Sequence, residues 1–382
     1  MKKLLLSIVI FISFQITKAD PGTYYNGVDT NKTCAALKTE LFNKISANTI
    51  SLSYSSMDDY YFKTDSKPAE SGGGSVIVDR YASERPNGLD SCNFRFITNF
   101  CGAGGTATFQ CSCYVKEHSF PSSWFADQLP MRSDMNFVFP ADNYTNNEKS
   151  NYPLGYVQTP SSTSYNGTKV GTSNTTLNYG FNATKVFEPA DSFKGDFARA
   201  YLYVVTRYET LATTWTSNSS ANDVLAGNTF PSLDSWILKL CVKWHKLDPP
   251  SAFERKRNDS IFSIQNNRNP YIDFPSLVEK AFGVDGSAIC VPLGVKQKSN
   301  TFNFSVFPNP IKDGMLTIDL ERNVTNNASL EVIDIVGRKL IEQKIAANNK
   351  QLTIDVSSLA KGTYLLNIID DGNNSIQKFI KE

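Results

Sequence analysis

Near residue 285 the chain changes its hydrophobic period, and that change limits what it can fold into. Before it, apolar residues recur at helical spacing in several segments. From Phe304 onward they alternate in short runs, at 316–320, 330–335, 352–356, 364–369 and 376–380, separated by Asn- and Gly-rich turns. Helical and strand periods bury different faces, so one continuous core cannot serve both. Two domains joined by a linker at about 287–303 follow, as expected for 382 residues at about 100–200 per domain. The evenly spaced strands of the last 79 residues predict a small β-sandwich.

The N-terminus reads as an export signal. Lys2 and Lys3 precede an apolar run over 4–16, and Thr17-Lys18-Ala19 has the small–x–small form of a cleavage site. No later stretch approaches 18 uninterrupted apolar residues, so no membrane span is expected. Removal of residues 1–19 takes away three lysines and no acid, moving the formal charge from +1 to −2. That balance excludes a broadly basic coat but leaves room for a local basic groove. Seven cysteines, at 34, 92, 101, 111, 113, 241 and 290, fit disulfides in an exported chain. Zinc is the competing reading, but Cys111 and Cys113 are one residue apart, closer than the usual knuckle spacing. The odd count leaves at least one thiol outside an intramolecular bridge, and the pairing stays open.

Residues 20–286 predict an α+β domain. Cys34, Leu37, Leu41 and Ile45 mark a helix over 33–47. Short β-type runs follow at 75–78 and 94–97, while 140–180 has no apolar period and reads as long loops. Three helices come next: 195–208, apolar on most faces; 232–245, with Trp236, Leu240 and Trp244 on one stripe; and one opening at Pro249-Pro250, with Phe253, Arg257, Ile261 and Ile264 on one side.

Histidine is scarce, with only His118 and His245 present. His118 follows Glu117 and precedes Pro121, so a metal carboxylate next to a general base is one reading and an ordinary polar pair the other. His245 lies beside the tryptophan stripe and reads as packing. Arg199, on the apolar helix, reads either as a buried ion pair with Glu188 or Asp196, or as a phosphate contact. Arg255, Lys256, Arg257 and Arg268 form a basic cluster that is either a solvated face or a phosphate-backbone contact.

Ordered motifs carry two resemblances. Phe307-Pro308-Asn309-Pro310, residues 332–338 (VIDIVGR), residues 355–364 and Lys378-Phe379-Ile380 resemble the C-terminal sorting domain of the type IX secretion system. This implies export across an outer membrane through that machinery, with the domain removed or used for attachment; a generic binding sandwich is the alternative. Residues 116–125 (KEHSFPSSWF), 133–142, 149–155 (KSNYPLG), 187–200 and 254–271 resemble the endonuclease I family in order. That resemblance implies a ββα-metal (His-Me finger) fold and a secreted, monomeric, Mg²⁺-dependent endonuclease. It would cut DNA without sequence preference, with RNA as a further candidate substrate. It assigns His118 as general base, Glu117 to one Mg²⁺, Arg199 to the catalytic set, and Lys149, Asn151, Arg255, Arg257 and Arg268 to the nucleic acid.

Two departures stand out. The position three before Pro140, where the family carries a second metal ligand, is Phe137, which cannot bind Mg²⁺; Asn136, one residue earlier, is the expected substitute. Lys149 replaces an Arg, keeping charge but losing the bidentate fork. A non-catalytic, surface nucleic-acid-binding protein on a degenerate nuclease fold is therefore the rival expectation.

Overall fold

The computed structural model describes residues 21–70, 72–83, 92–102, 107–217, 221–288, 303–325, 327–334, 338–370 and 373–382. The expected export signal and most of the expected linker lie outside them. The chain divides into two compact units between residues 293 and 294.

In the first unit, helix α1 (Cys34–Ser46) buries Leu37, Leu41 and Ile45. Two strands, β1 (Tyr114–His118) and β2 (Val138–Asp142), pair antiparallel from Tyr114 opposite Asp142 to His118 opposite Val138. The disulfides Cys92–Cys111 and Cys101–Cys113 staple the chain just before β1. Four of the seven cysteines are thus bridged with one another, against the zinc reading. Cys34 is disulfide-bonded as well, and Cys241 is a buried free thiol.

β2 runs directly into helix α2 (Asn143–Lys149). Asp142 caps it: Oδ1 accepts from the Thr145 amide at 2.8 Å, and Oδ2 accepts from the Cys111 amide at 2.7 Å. A three-stranded antiparallel sheet follows, in the order β3 (Val157–Thr163), β4 (Lys169–Ser173), β5 (Val186–Glu188). The long loops expected over 140–180 are therefore corrected to a helix and a hairpin. β3 is exposed along most of its length, so it carries no apolar alternation to read.

Helix α3 (Lys194–Arg207) is the centre of the unit, with all 14 of its residues buried. Helix α4 (Ser235–Leu247) packs on it with Trp236, Leu240 and Trp244 inward. Helix α5 (Ala252–Gln265) is capped by Ser251 and ends at Asn266 in the left-handed conformation. Burying α3 on all faces buries its charges, and Lys194, Asp196 and Arg199 are paired. Arg199 holds Glu254 of α5 through two hydrogen bonds, 2.6 and 2.5 Å, and meets Asp196 at 3.3 Å. Arg80 reaches Asp196 at 2.8 Å and Asp65 at 3.1 Å, and Arg257 reaches Asp65 at 2.7 Å.

The second unit has two antiparallel sheets. One is ordered β9 (Lys339–Lys344), β8 (Ser329–Asp334), β11 (Gly362–Asp370), β12 (Asn373–Lys381). The other is ordered β10 (Gln351–Asp355), β7 (Met315–Leu320), β6 (Phe304–Phe307). Leu316, Ile318, Leu330, Val332, Leu366, Ile368 and Phe379 belong to one shared core. Among the described residues, no helix is long and apolar enough to cross a membrane.

The ion-pair network makes a prediction. Arg199→Met strands Glu254 as a buried, uncompensated acid, while Asp196 keeps Arg80, so urea unfolding will show a loss of about 3–5 kcal/mol. Arg199→Lys will recover only part of it, lacking the fork. A loss below about 1 kcal/mol for Arg199→Met would show that the network does not hold α3 to α5.

Candidate active site

Glu117 and His118 end strand β1. Alternation along the strand sends their side chains to different neighbours. The His118 ring, 5% exposed, lies near-parallel to Tyr54 with centroids 5.8 Å apart, and is flanked by Phe125 at 5.8 Å and Phe137 at 5.9 Å. Its Nε2 sits 2.9 Å from the backbone carbonyl of Arg132. A carbonyl only accepts, so Nε2 carries the proton and Nδ1 keeps its lone pair. Burial pushes the imidazole below its usual 6.5, with the Glu117 carboxylate opposing. The ring is thus held in one orientation, with Nδ1 free of that bond.

Glu117 faces α2. Lys149 Nζ, fully buried, donates to Glu117 Oε1 at 2.7 Å, to the His118 carbonyl at 3.2 Å and to the Ser150 carbonyl at 3.4 Å. Three ammonium protons meet three oxygens, so a lysine satisfies this pocket without a guanidinium fork. One helical turn earlier, the Asn146 side-chain amide faces Glu117, its NH₂ donating to Oε2 at 2.9 Å and to Oε1 at 3.1 Å. A carboxamide and a carboxylate on one cleft carry oxygens of the kind a hard divalent ion takes, since it needs one or two protein ligands and keeps its waters. Glu117, Asn146, Asn147, Ser150 and Asn151 line a cleft of about 250 Å³. Asn146 and Asn147 also line a larger neighbouring cleft with Tyr54, Lys116 and Arg132.

The expected residues separate cleanly. His118, Glu117, Lys149 and Asn151 come together. Asn136, expected as the second ligand, does not join them. Its amide donates to Asp134 at 3.1 Å, Tyr203 at 3.1 Å and Asn267 at 3.3 Å. It lines a closed polar cavity with Arg80, Asp196 and Glu254 that shares no residue with the Glu117 cleft. Arg199, expected in the catalytic set, is wholly buried and spent on Glu254 and Asp196, which corrects that reading. Arg257 and Arg268, expected on nucleic acid, are buried as well; Arg268 pairs with Asp259 at 2.5 Å and Asp273 at 2.7 Å. Arg255 is exposed, but its Nη1 donates to the Ile272 carbonyl at 2.7 Å. His245 is buried as expected, though as a polar link: Nε2 meets the Pro275 carbonyl at 3.1 Å and Nδ1 faces Arg199 at 3.4 Å.

Two residues of the site escaped the sequence reading. Asn146 has no apolar period around it, and the signal was its place three before Lys149 on a capped helix. Arg132 is exposed, with its guanidinium 4.6 Å from the Tyr54 ring centre and no acidic partner among the described residues. Its carbonyl, the one that orients His118, carries no side-chain signature.

Comparison with known proteins places this geometry. The endonuclease I family model matches residues 33–276, and that of the secretion system C-terminal sorting domain matches 305–382. The chain is 28% identical over 270 residues to an extracellular ribonuclease of Bacillus subtilis (strain 168), covering 69% of this chain and 79% of that protein. It is 27% identical over 143 residues to an extracellular deoxyribonuclease of Aeromonas hydrophila, covering 37% and 50%. With a carboxylate and an amide at one cleft, an oriented histidine next along the strand, and a sorting domain matched at the C-terminal end, the chain belongs to the endonuclease I family, as a nuclease sent out of the cell or to its surface by type IX secretion.

Proposed function

We propose that this protein is a Mg²⁺-dependent endonuclease that hydrolyses phosphodiester bonds of DNA and RNA without sequence preference, with His118 as general base. The observation that carries it is the meeting of the Glu117 carboxylate and the Asn146 carboxamide at one cleft, with the carbonyl-held His118 next along the strand. In this reading the β1–β2–α2 run is the ββα-metal finger, residues 20–286 form the nuclease domain, and the two-sheet unit 304–382 is a sandwich. Residues 1–19 serve as the export signal. Relatives named for either nucleic acid support a broad substrate range.

Glu117 and Asn146 would hold the ion. Bound there, Mg²⁺ supplies Lewis-acid neutralisation of the charge that grows on the phosphate and the leaving oxygen. Lys149 fixes the Glu117 rotamer through Oε1 and leaves Oε2 toward Asn146. His118 Nδ1 takes the proton from the attacking water, and the Arg132 carbonyl on Nε2 steadies the imidazolium that forms. The exposed Arg132 guanidinium and Asn151 offer donors to phosphate oxygens at the cleft rim. A binding-only reading rested on Phe137. That side chain is buried against His118 and Phe125, and Asn146 offers the amide oxygen that Phe137 lacks.

Plasmid digestion tests the reading. The purified chain will nick plasmid in Mg²⁺, EDTA will stop it, and His118→Ala will slow it by about 10²-fold or more. Cleavage that survives both changes would overturn it. A Mg²⁺ titration separates the two asparagines. Asn146→Ala will raise the Mg²⁺ needed for half-maximal rate by about tenfold or more, whereas Asn136→Ala will lower stability and leave that midpoint in place. The reverse pattern would return the ligand role to Asn136.

A further inference from the structure

We infer that a track of paired lysines and tyrosines on the first unit binds the sugar–phosphate backbone of nucleic acid beyond the cleavage cleft. This rests on the nuclease reading above and extends it to a second contact surface.

The track starts at the cleft. Asn151 lines it beside Glu117, and the chain then runs extended along β5. Leu154 bridges Phe187 in parallel, the Phe187 amide donates to the Pro153 carbonyl at 2.8 Å, and the Gly155 amide donates to the Phe187 carbonyl at 2.9 Å. The five residue steps from Asn151 to Tyr156 span at most about 16 Å. Along one strand of a duplex, that length faces about five phosphates.

Cations follow the path, each against a ring. Lys185 Nζ lies 5.4 Å from the centre of Tyr152, and Lys243 Nζ lies 5.0 Å from that of Tyr156. One turn back on α4, Lys239 Nζ lies 5.9 Å from the centre of Tyr179. None of these three lysines makes an ion pair with a described acid. The nearby acids are otherwise engaged: Glu188 and Asp191 hold Lys194, at 2.8 and 2.5 Å, and Glu279 holds Lys246 at 2.7 Å. Asp285, the remaining acid that senses Lys239, hydrogen-bonds Ser287.

An ammonium resting on a tyrosine is held by about 0.5–1 kcal/mol at an exposed site. That hold is weak enough to yield to a phosphate, whose binding also releases condensed counterions. Arg80, Arg199, Arg257 and Arg268, buried in this unit, have no such freedom, because carboxylates already hold them. Charge complementarity and continuity with the cleft both favour a polyanion that enters the cleft at one end.

The test uses the full chain carrying His118→Ala, so that binding is measured in Mg²⁺ without cleavage. The probes are a 30-base-pair duplex and a single-stranded hexanucleotide, titrated across salt. In that background, Lys185→Ala/Lys239→Ala/Lys243→Ala will reduce the salt slope for the duplex by about 2–3 and weaken its binding about tenfold. Hexanucleotide binding will change less than about twofold, and the triple Lys→Arg variant will keep the parent slope. An unchanged duplex slope, equal weakening of both probes, or a lost slope in the Arg variant would overturn the track. Failure of the nuclease reading appears elsewhere, as a parent chain without His118→Ala that neither cuts nor binds either probe.

Discussion

The ladder between β1 and β2 is the constraint on which the rest of the site depends. At one end His118 stands opposite Val138, and the intervening residues 119–137 fold back so that the Arg132 carbonyl reaches the imidazole. At the other end Tyr114 stands opposite Asp142, which is at once a ladder residue, the cap of α2 and the acceptor for Cys111. The cap sets where α2 starts, and the start sets which residues face back to β1. Asn146 and Lys149 are three apart, on one helix face, and both land on Glu117. A register slip of one residue would turn Glu117 and His118 to each other's neighbours and dismantle both contacts. The paired cysteines before β1 guard against that slip by holding the strand's entry.

The carboxylate of Glu117 is shared, and the sharing is ordered. Lys149 takes Oε1 from inside the protein, and the amide of Asn146 stands nearest Oε2. The buried Lys149 ammonium fixes Glu117 without occupying the outward oxygen. The substitution of lysine for arginine, which looked like a loss in the sequence, suits a pocket of three separate carbonyl and carboxylate oxygens better than it would suit a planar bidentate partner.

What could be read in advance follows from how each feature is encoded. The helices expected at 33–47, 195–208 and 232–245 stand at Cys34–Ser46, Lys194–Arg207 and Ser235–Leu247, because a buried stripe writes itself as a 3.6-residue period. The strands of the second unit were legible for the same reason, at period two. Its strands Phe304–Phe307 and Lys339–Lys344 were not; in the second, five of six residues are exposed and nothing alternates. In the site, Glu117, His118, Lys149 and Asn151 stood out as contiguous motifs. Asn146 and the Arg132 carbonyl did not, because their role comes from where a turn and a cap place them. Arg199 and Arg257 were misplaced because a side chain's charge is visible in sequence while its partner across the core is not; Glu254 and Asp65 lie 55 and 192 residues away.

That last point changes how the near-neutral charge of this chain should be understood. Arg80, Arg199, Arg257, Arg268, Lys38 and Lys194 are all buried and all held by carboxylates. Their fields are largely cancelled before they reach solvent, so counting them says little about attraction to a polyanion. Among the cations outside these pairs are Arg132 at the cleft and Lys185, Lys243 and Lys239 resting on rings. At physiological salt the Debye length is about 8 Å, so these cations act on the phosphates directly over them rather than through a long-range field. On the proposed reading, a chain of formal charge only +1 can therefore meet a polyanion through cations that no carboxylate holds, while others are neutralised within its core.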